Sequence, residues 1–251
     1  MSNVLARSAI FTASPATLER EMCHNKKIAS MEGTQIFFSG QELRQDGDLD
    51  VFLQITHLAR EQPLGAKVEF TGYGLLKALG WRTSKKDYER LKTIIDRLKA
   101  GTTKVAFEDG KRGFSGSLIR KFAWRDEDDT EEGSDMKRSK WIVFLEPEIL
   151  ALFGENDYTR LDIEQRQRLR YDMSKWLHTY YHTHDVPFAH SVKWLHERCG
   201  SKCKTLAHFR PVLKRGLEEL KEEGFFLAWR IDDKDLVHVE RAPKRPQLAA
   251  F

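Results

Sequence analysis

The chain has 251 residues, 40% of them hydrophobic and 32% charged, which is the balance of a globular protein with room for two domains. No apolar run approaches the length of a membrane span, and we expect no signal peptide because VLARSAIF is short and interrupted by Arg7. The formal net charge is only +4, so the placement of the basic residues matters more than their sum, and three cysteines favour a reducing cytoplasm without disulfides.

Residues 1–35 combine charged and small residues, and we expect an N-terminal arm rather than a domain there. The stretch QIFFSGQEL that follows is predicted to form a strand. Asp48 is placed to cap a helix that runs to about Gln62, because apolar residues recur behind it at helical spacing. These residues are Val51, Phe52, Ile55, Leu58 and Ala59. A short strand, VEFT, is expected after this helix.

The next segment has the pattern of a short helix, a glycine turn and a long basic helix. The short helix is predicted in YGLLKALGW, and the long one in SKKDYERLKTIIDRLKAG, where Gly101 ends it. The apolar face of the long helix consists of Tyr88, Leu91, Ile94, Ile95 and Leu98, and its opposite face carries Lys85, Lys86, Arg90, Lys92 and Arg97. A ribbon of TTKVAF and FSGSLIRKFAW is expected next, with a turn at Asp109-Gly110 and with Lys111 and Arg112 at its tip.

The same order of elements recurs in the second half of the chain. Asp162 with Gln165 predicts the start of a helix that runs to about His182. Its core face would be Leu169, Met173, Trp176, Leu177 and Tyr180. A short helix in HSVKWLHERCGS and a long one in TLAHFRPVLKRGLEELKEEG follow, and strands FFLAWRI and LVHVER then form a ribbon around a turn at residues 232–235.

The second long helix has its own buried stripe and one awkward residue. The stripe consists of Leu206, Phe209, Leu213, Leu217 and Leu220. Pro211 lies among these residues, so we expect it either to kink the helix or to move the helix start nearer Phe209.

A helix-turn-helix followed by a β-ribbon is a winged helix, whose commonest use is to place its second helix in the DNA major groove. The predicted fold class is therefore α+β, with two tandem winged-helix domains. The domains are predicted at residues 36–154 and 155–241, between the arm at 1–35 and a flexible C-terminal tail at 242–251. Pro243 and Pro246 keep that tail from joining the ribbon.

The two basic helices are the main chemical signal, because Lys and Arg displace counterions from phosphates and polar groups near a helix start contact base edges. The candidate DNA-binding residues of the second domain are Lys202, Lys204, Thr205, His208, Arg210, Lys214 and Arg215. Those of the first domain are Lys85, Lys86, Arg90, Lys111 and Arg112. A solvated face without a ligand is the alternative, but the repetition of the pattern favours DNA binding.

Three other groups of residues are explained better by core packing or solvation than by metal binding or catalysis. His196, Cys199, Cys203 and His208 match no zinc spacing, and a buried Cys199 at the turn accounts for them. Tyr180, Tyr181, His182 and His184 resemble parts of a nicking enzyme, but they lie at a helix end and fit a core better. The acidic run from Asp126 to Asp135 lacks the spacing of metal ligands and fits a solvated loop. With no phosphate-binding glycine loop either, we expect no enzyme activity, no cofactor and no metal.

Several motifs, in order along nearly the whole chain, resemble the TrfA-type plasmid replication initiators. They are ARSAIF at 6–11, SGQELRQDGDLDVFLQITHLAREQPLG at 39–65, EFTGYGLLKALGW at 69–81, SLIRKFAW at 117–124, FLEPEILALFGENDYTRLD at 144–162, CGS at 199–201 and DLVHVER at 235–241. The resemblance implies two winged-helix domains that bind repeated DNA elements (iterons) at a plasmid origin. It also implies origin opening, recruitment of the host replicative helicase with its loading machinery, and a bacterial location with the nucleoid or plasmid.

Members of that family also use a sliding-clamp peptide of the form Gln-Leu-x-Leu-Phe. At the end of this chain Gln247, Leu248 and Phe251 match the form, whereas Ala250 stands where Leu is expected. A missing leucine side chain forfeits roughly 1.5–3 kcal/mol, so clamp binding through this tail would be weak.

The sequence therefore predicts a non-enzymatic initiator of plasmid replication that binds double-stranded origin DNA. A dimeric winged-helix transcriptional repressor is the first alternative, and it would bind one palindrome and need no helicase. A protein-binding winged-helix scaffold is the second, and it would show no salt-sensitive affinity for DNA. Whether the active form is a monomer or a homodimer stays open.

Overall fold

The computed structural model describes residues 1–30, 33–60, 66–107, 112–125, 139–152 and 158–243, and within them the chain is a mixed α+β protein. The helices are α1 (Asn3–Ala6), α2 (Asp50–Arg60), α3 (Gly72–Ala78), α4 (Lys85–Ala100), α5 (Pro147–Ala151), α6 (Ile163–Arg168), α7 (Asp172–His182), α8 (Val192–Arg198) and α9 (Leu206–Glu222). The strands are β1 (Phe11–Thr12), β2 (Met22–Ile28), β3 (Thr34–Gln41), β4 (Leu43–Arg44), β5 (Lys67–Thr71), β6 (Thr102–Phe107), β7 (Gly113–Gly116), β8 (Ile119–Arg125), β9 (Lys140–Leu145), β10 (His190–Ser191), β11 (Phe226–Ile231) and β12 (Leu236–Arg241). None of the helices described could cross a membrane, being too short or too polar.

Two hydrophobic clusters divide the described residues. The first cluster runs from Met1 to Leu152. The second contains Ala13 and residues from Leu169 to Val237. Both predicted helix stripes lie where expected. Leu91 and Ile95 of α4 are fully buried in the first cluster. In the α9 stripe Phe209, Leu213, Leu217 and Leu220 are buried in the second cluster, and Leu206 packs partly buried against it. We refer to the two clusters with their surrounding elements as the first and second units.

The N-terminal residues belong to the first cluster rather than standing apart from it. Leu5, Ile10 and Phe11 are buried, and the Phe11 ring stacks on Phe52 of α2 at 6.0 Å between centroids. Strand β1 pairs in parallel with β4, and β2 pairs antiparallel with β3. Residues 1–30 therefore help to build the core, although their mixed charge suggests an arm.

The two units share one strand order. In the first, β5 precedes the short helix α3, and β8 and β9 form a hairpin in a sheet of order β5-β9-β8. In the second, β10 precedes the short helix α8, and β11 and β12 form a hairpin in a sheet of order β10-β12-β11. In each unit the strand before the helix pair therefore pairs with the last strand of the hairpin after it.

The ribbon predicted for the first unit is confirmed for its first part, where β6 pairs antiparallel with β7, but it is wrong for the residues after Gly116. The stretch FSGSLIRKFAW contains two strands, of which β7 pairs with β6 in a four-stranded sheet of order β2-β3-β6-β7. The other strand, β8, leaves that sheet and pairs with β9. The chain changes sheets at Ser117 and Leu118, where the Leu118 side chain is buried and the Ser117 hydroxyl donates to the carbonyl oxygen of Ile119. Asp109, Gly110 and the acidic residues 126–138 lie outside the described residues.

The helix predicted from Asp162 to His182 is two helices. Its start is confirmed, because the Asp162 carboxylate accepts the backbone N–H of Gln165 at 2.9 Å. The chain leaves the helix after Arg168, and α7 begins at Asp172. The carboxylate of Glu219, on α9, accepts the backbone N–H groups of Arg170 at 2.9 Å and Tyr171 at 3.2 Å. These two bonds replace the helical bonds that the break removes.

The start of α9 is not displaced by Pro211. The helix begins at Leu206, and the Thr205 hydroxyl caps it by accepting the backbone N–H of His208 at 3.3 Å. Pro211 lies inside the helix on its exposed side. Further along, Gly216 allows close contact with α7, because a Cβ there would lie 2.7 Å from Cγ of Met173.

Asp48 does not cap α2, which begins at Asp50. The Asp48 carboxylate is instead fully buried, accepts the backbone N–H of Arg44 at 2.9 Å, and forms ion pairs with Arg20 and Arg97. A buried carboxylate needs such partners, and these come from three other segments of the first unit. The predicted apolar face of α2 is nevertheless confirmed at Val51, Phe52, Ile55 and Ala59, which are buried.

Candidate nucleic-acid interface

The helix pair of the second unit is shaped by its caps and by one glycine. The Ser191 hydroxyl caps α8 by accepting the Trp194 N–H at 3.1 Å, and Cys199, the C-cap residue after the last helical residue Arg198, is buried as expected. Gly200 follows with φ +66°, a conformation that favours glycine, and a Cβ there would lie 2.8 Å from Thr12. The turn then leads to the cap of α9, so the first turns of α9 face solvent beside α8.

Four predicted residues lie on the exposed part of α9 and the turn before it: Lys204, His208, Lys214 and Arg215. Lys204, His208 and Lys214 form no ion pair with any residue that the structure describes. The Arg215 guanidinium lies 5.3 Å from the centroid of the Tyr171 ring. Their charges are available to phosphates, and Thr205 contributes to this face as the cap of the helix.

Arg210 and Lys202 already have partners. The Arg210 guanidinium makes two hydrogen bonds to Asp235 in the β11–β12 turn, Nε to Oδ1 at 3.2 Å and Nη2 to Oδ2 at 2.7 Å. The Lys202 ammonium binds the Glu42 carboxylate at 2.7 Å and the carbonyl oxygen of Glu19 at 2.6 Å. Lys202 therefore connects the second unit to the first, and we leave it out of the proposed DNA-binding surface.

The predicted residues of the first unit are dispersed. Lys85 and Lys86 are exposed in the first turn of α4, which Ser84 caps. Arg90 lies 3.9 Å from the centroid of the Trp81 ring and 3.4 Å from the Asp46 carboxylate. Arg112 lies 5.4 Å from the centroid of the Phe107 ring in the four-stranded sheet, away from the hairpin that follows the helix pair. Lys111, together with Gln247, Leu248 and Phe251 of the tail, lies outside the described residues.

Counting from the cap residue of each long helix shows that the two faces are not equivalent. The positions of His208, Arg210, Lys214 and Arg215 in α9 correspond to Asp87, Glu89, Thr93 and Ile94 in α4. The α4 face therefore lacks the three cations and the histidine that α9 carries at these four positions. Its positive charge lies instead at the helix start and on the side that faces Asp46.

A set of buried and partly buried polar side chains joins the two units, and nothing in the sequence pattern indicated it. This junction cluster consists of Gln45, Asp46, Asp50, Arg166, Asp172 and Lys175. Arg166 is 1% exposed and donates to the Asp50 carboxylate, both oxygens of Gln45, the Lys175 carbonyl oxygen and the Thr179 hydroxyl. The Lys175 ammonium bridges Asp46 and Asp50. Burial alone would raise the pKa of Asp50, but Arg166 and Lys175 hold it below its ordinary value.

Asp172 is the member of this cluster whose ionised form destabilises the fold. Its carboxylate accepts the backbone N–H of Asp46 at 3.2 Å. Burial, and then the nearby Asp46 carboxylate, raise the pKa of Asp172 to about 6, against the opposing pull of Lys175 and Arg44. The folded state therefore binds this proton more tightly than the unfolded chain, so Asp172 lowers stability progressively as pH rises from about 4 to about 6.

Replacing Asp172 by Asn should remove that cost while keeping the oxygen that accepts the Asp46 N–H. We expect Asp172→Asn to be about 1–2 kcal/mol more stable than the wild type at pH 7.5 and equal to it near pH 4. Urea unfolding at several pH values measures the difference. A stability difference between Asp172→Asn and the wild type that does not change with pH would contradict the raised pKa of Asp172.

Three of the residues that resemble a nicking enzyme, Tyr180, Tyr181 and His182, are buried, and His184 is partly buried. The Tyr180 hydroxyl lies 2.8 Å from Nε2 of His190, and Tyr181 is 1% exposed. Burial raises the pKa of Tyr180 to about 12, so the phenol is held protonated, unlike an activated nucleophile. In the part of the chain that the structure describes, no three His, Cys, Asp or Glu side chains are arranged to hold a metal ion.

Comparison with known families decides the relationship. The sequence profile described as TrfA protein matches residues 1–241. The chain belongs to the TrfA family. A curated member, the plasmid replication initiator protein TrfA of Escherichia coli, is 30% identical over 245 residues. The match covers 96% of this chain and 61% of that protein, so this chain spans about three fifths of its relative's length.

Solved structures show a related fold. Domains 2 and 3 of RctB, in a selenomethionine derivative, match this TrfA-family chain with a TM-score of 0.64 and 15% identity, over 93% of this chain and 95% of that one. A second RctB structure of the same domains gives a TM-score of 0.59 and 14% identity, over 92% and 95% of the two chains. At this identity the likeness concerns the arrangement of helices and strands across both units.

Proposed function

We propose that this chain initiates plasmid replication by binding repeated elements of an origin, and that its two units contain winged-helix domains at residues 36–154 and 155–241, with residues 1–30 packed onto the first. The observation that carries the proposal is the open basic face of α9, in a TrfA-family chain whose second unit has a helix pair followed by a hairpin. The shared strand order of the two units supports the winged-helix assignment, and the name of the Escherichia coli relative supports initiation.

In this proposal phosphate contacts from Lys204, Lys214 and Arg215 hold α9 in a major groove, and side chains of its first turns contact base edges. The second unit makes the principal contacts because it retains the cations that α4 lacks. The first unit contributes Lys85, Lys86 and Arg90 to the neighbouring DNA. Binding on this scale favours deformation of adjacent A·T-rich DNA, since added contacts offset the bending energy. Recruitment of the host helicase follows without any catalytic group of the chain itself.

The test is the salt dependence of binding by Lys214→Ala/Arg215→Ala. The probe is duplex DNA from the region that flanks the chain's own gene, where the proposal places the repeated elements. We expect the slope of log K against log salt to fall by about one for each phosphate that the variant no longer neutralises, and the affinity near 0.15 M salt to fall at least about tenfold. Fluorescence anisotropy over a salt series measures both quantities.

Two further variants serve as comparisons. Lys221→Ala alters an exposed lysine in the last turn of the same helix, within 3.8 Å of Glu218, and should leave the slope unchanged. Lys85→Ala/Lys86→Ala reports contact by the first unit and should reduce the slope by a smaller amount. A wild type without salt-dependent binding would favour the protein-binding scaffold, and protection of a single palindrome would favour the repressor.

A further inference from the structure

Arg210 is held in an orientation that leaves one edge of its guanidinium open. Nε and Nη2 donate to the two oxygens of Asp235, which occupies the side edge of the guanidinium. The remaining edge, formed by Nη1 and the second hydrogen of Nη2, has no partner among the described residues. Both side chains are partly exposed, Arg210 at 39% and Asp235 at 36%, so this edge is accessible to a ligand.

Asp235 is itself fixed by the turn in which it lies. It has φ +61°, a backbone conformation that Asp and Asn tolerate better than most residues. Its N–H donates to the carbonyl oxygen of Asp232 at 3.0 Å, and its own carbonyl oxygen accepts the N–H of Val192, the first residue of α8, at 3.0 Å. The Asp232 carboxylate accepts the N–H groups of Lys234 and Leu236, which closes the turn. The backbone of the residue that holds Arg210 is therefore bonded both to α8 and within the hairpin turn.

The open edge presents two parallel N–H donors at the exposed start of α9. Two such donors match the N7 and O6 acceptors that guanine presents in the major groove, and this is the commonest specific contact between a side chain and a base. A guanidinium fixed in advance loses less conformational entropy on binding than a free one. We propose that Arg210 recognises one guanine of the bound element and that Asp235 is the positioning residue for Arg210; this inference rests on the proposed function.

The first unit provides an internal contrast. The residue of α4 at the position of Arg210 is Glu89, whose carboxylate accepts hydrogen bonds and cannot donate to the guanine acceptors. Recognition of this guanine therefore belongs to the second unit alone, which makes the bound element asymmetric in its base contacts.

The experiment is selection of binding sites from a randomised duplex library with the full chain. The variants are Arg210→Lys, Asp235→Asn and Asp235→Gly, since Asn and Gly both accept the positive φ at this position. Asp233→Asn, at an exposed residue of the same turn, is the matched control. The wild type and Asp233→Asn are expected to enrich the same motif with one invariant guanine.

We expect Arg210→Lys and both Asp235 variants to lose the preference at that one guanine and to keep it at the other positions. Affinity for the wild-type motif should fall roughly tenfold to a hundredfold for Arg210→Lys and less for Asp235→Asn. The salt slope of the Asp235 variants should not fall, because every cation that neutralises a phosphate is still in place. A structural defect would instead weaken binding to every sequence.

Two results would overturn the inference in distinguishable ways. If the wild type enriches a motif and the Asp235 variants enrich the same motif at every position, Asp235 does not position Arg210 and the proposed function stands. If the wild type enriches no motif and shows no salt-dependent binding, the proposed function fails and the inference fails with it.

Discussion

Arg166→Ala is expected to destabilise the chain by about 3–5 kcal/mol. The guanidinium is 1% exposed, and its removal leaves the Asp50 carboxylate buried with only Lys175 as a charged partner. It also leaves the carbonyl oxygens of Gln45 and Lys175 without this donor. Removing one partner of a buried ion pair costs much more stability than the intact pair contributes, because the remaining charge is left buried without its partner. Urea unfolding measures the free energy of unfolding directly.

Arg168→Ala is the matched control for this prediction. Arg168 lies two residues further along the same helix and pairs with Glu223 at 2.7 Å, but its side chain is 46% exposed. An exposed pair contributes about 0–1 kcal/mol, so this variant should unfold close to the wild type. Similar losses for Arg166→Ala and Arg168→Ala would mean that the junction cluster is no stronger than a surface pair.

Glu219→Ala is expected to cost about 3 kcal/mol. The Glu219 side chain is 4% exposed, and its carboxylate accepts two backbone N–H groups at the break between α6 and α7. Alanine leaves both part-buried N–H groups without this acceptor, and each such loss costs about 1–3 kcal/mol. Glu219→Gln keeps one oxygen acceptor and should lose about half as much. Glu222→Ala, at an exposed position of the same helix, should change stability by less than about 0.5 kcal/mol.

The pH dependence of Glu219→Ala gives an independent check. Burial alone would raise the pKa of Glu219, but its hydrogen bonds, including those from the Arg170 and Tyr171 backbone, hold it below the ordinary value of 4.5. The stabilisation is therefore present above pH 4.5 and is lost as the pH falls through the lowered pKa. The difference in free energy of unfolding between wild type and Glu219→Ala should therefore become smaller in acid. A difference that stays constant with pH would mean that the Glu219 carboxylate does not provide this stabilisation.

The sequence predicted the features that depend on neighbours along the chain. The apolar stripe of α9, the Asp162 cap and the turn at residues 232–235 all follow from spacing within about four residues, and all are present. Periodicity indicates which side of a helix is buried because the helical repeat places those residues together.

The features that the sequence did not reveal depend on distant partners. The break after Arg168 is stabilised by Glu219, which lies 49 residues beyond Arg170, and Arg166 meets Gln45 across 121 residues. Lys202 has the same spacing as a DNA-binding lysine, and only the fold shows that Glu42 is its partner. The sequence also did not reveal that β7 pairs with β6 whereas β8 pairs with β9, because either strand has enough β-forming residues to extend a ribbon.

The junction cluster has a consequence for the geometry of the DNA. A hinge between the two units would let them adjust to different separations of their contact sites, whereas three hydrogen bonds from the buried Arg166 side chain to Gln45 and Asp50 tie the second unit to the first. In the proposed function, two DNA-binding surfaces joined in this way would meet the double helix at a fixed rotational phase. Inserting half a helical turn, about 5 base pairs, between the two contact sites would move one of them to the opposite side of the duplex, while a full turn would restore the alignment.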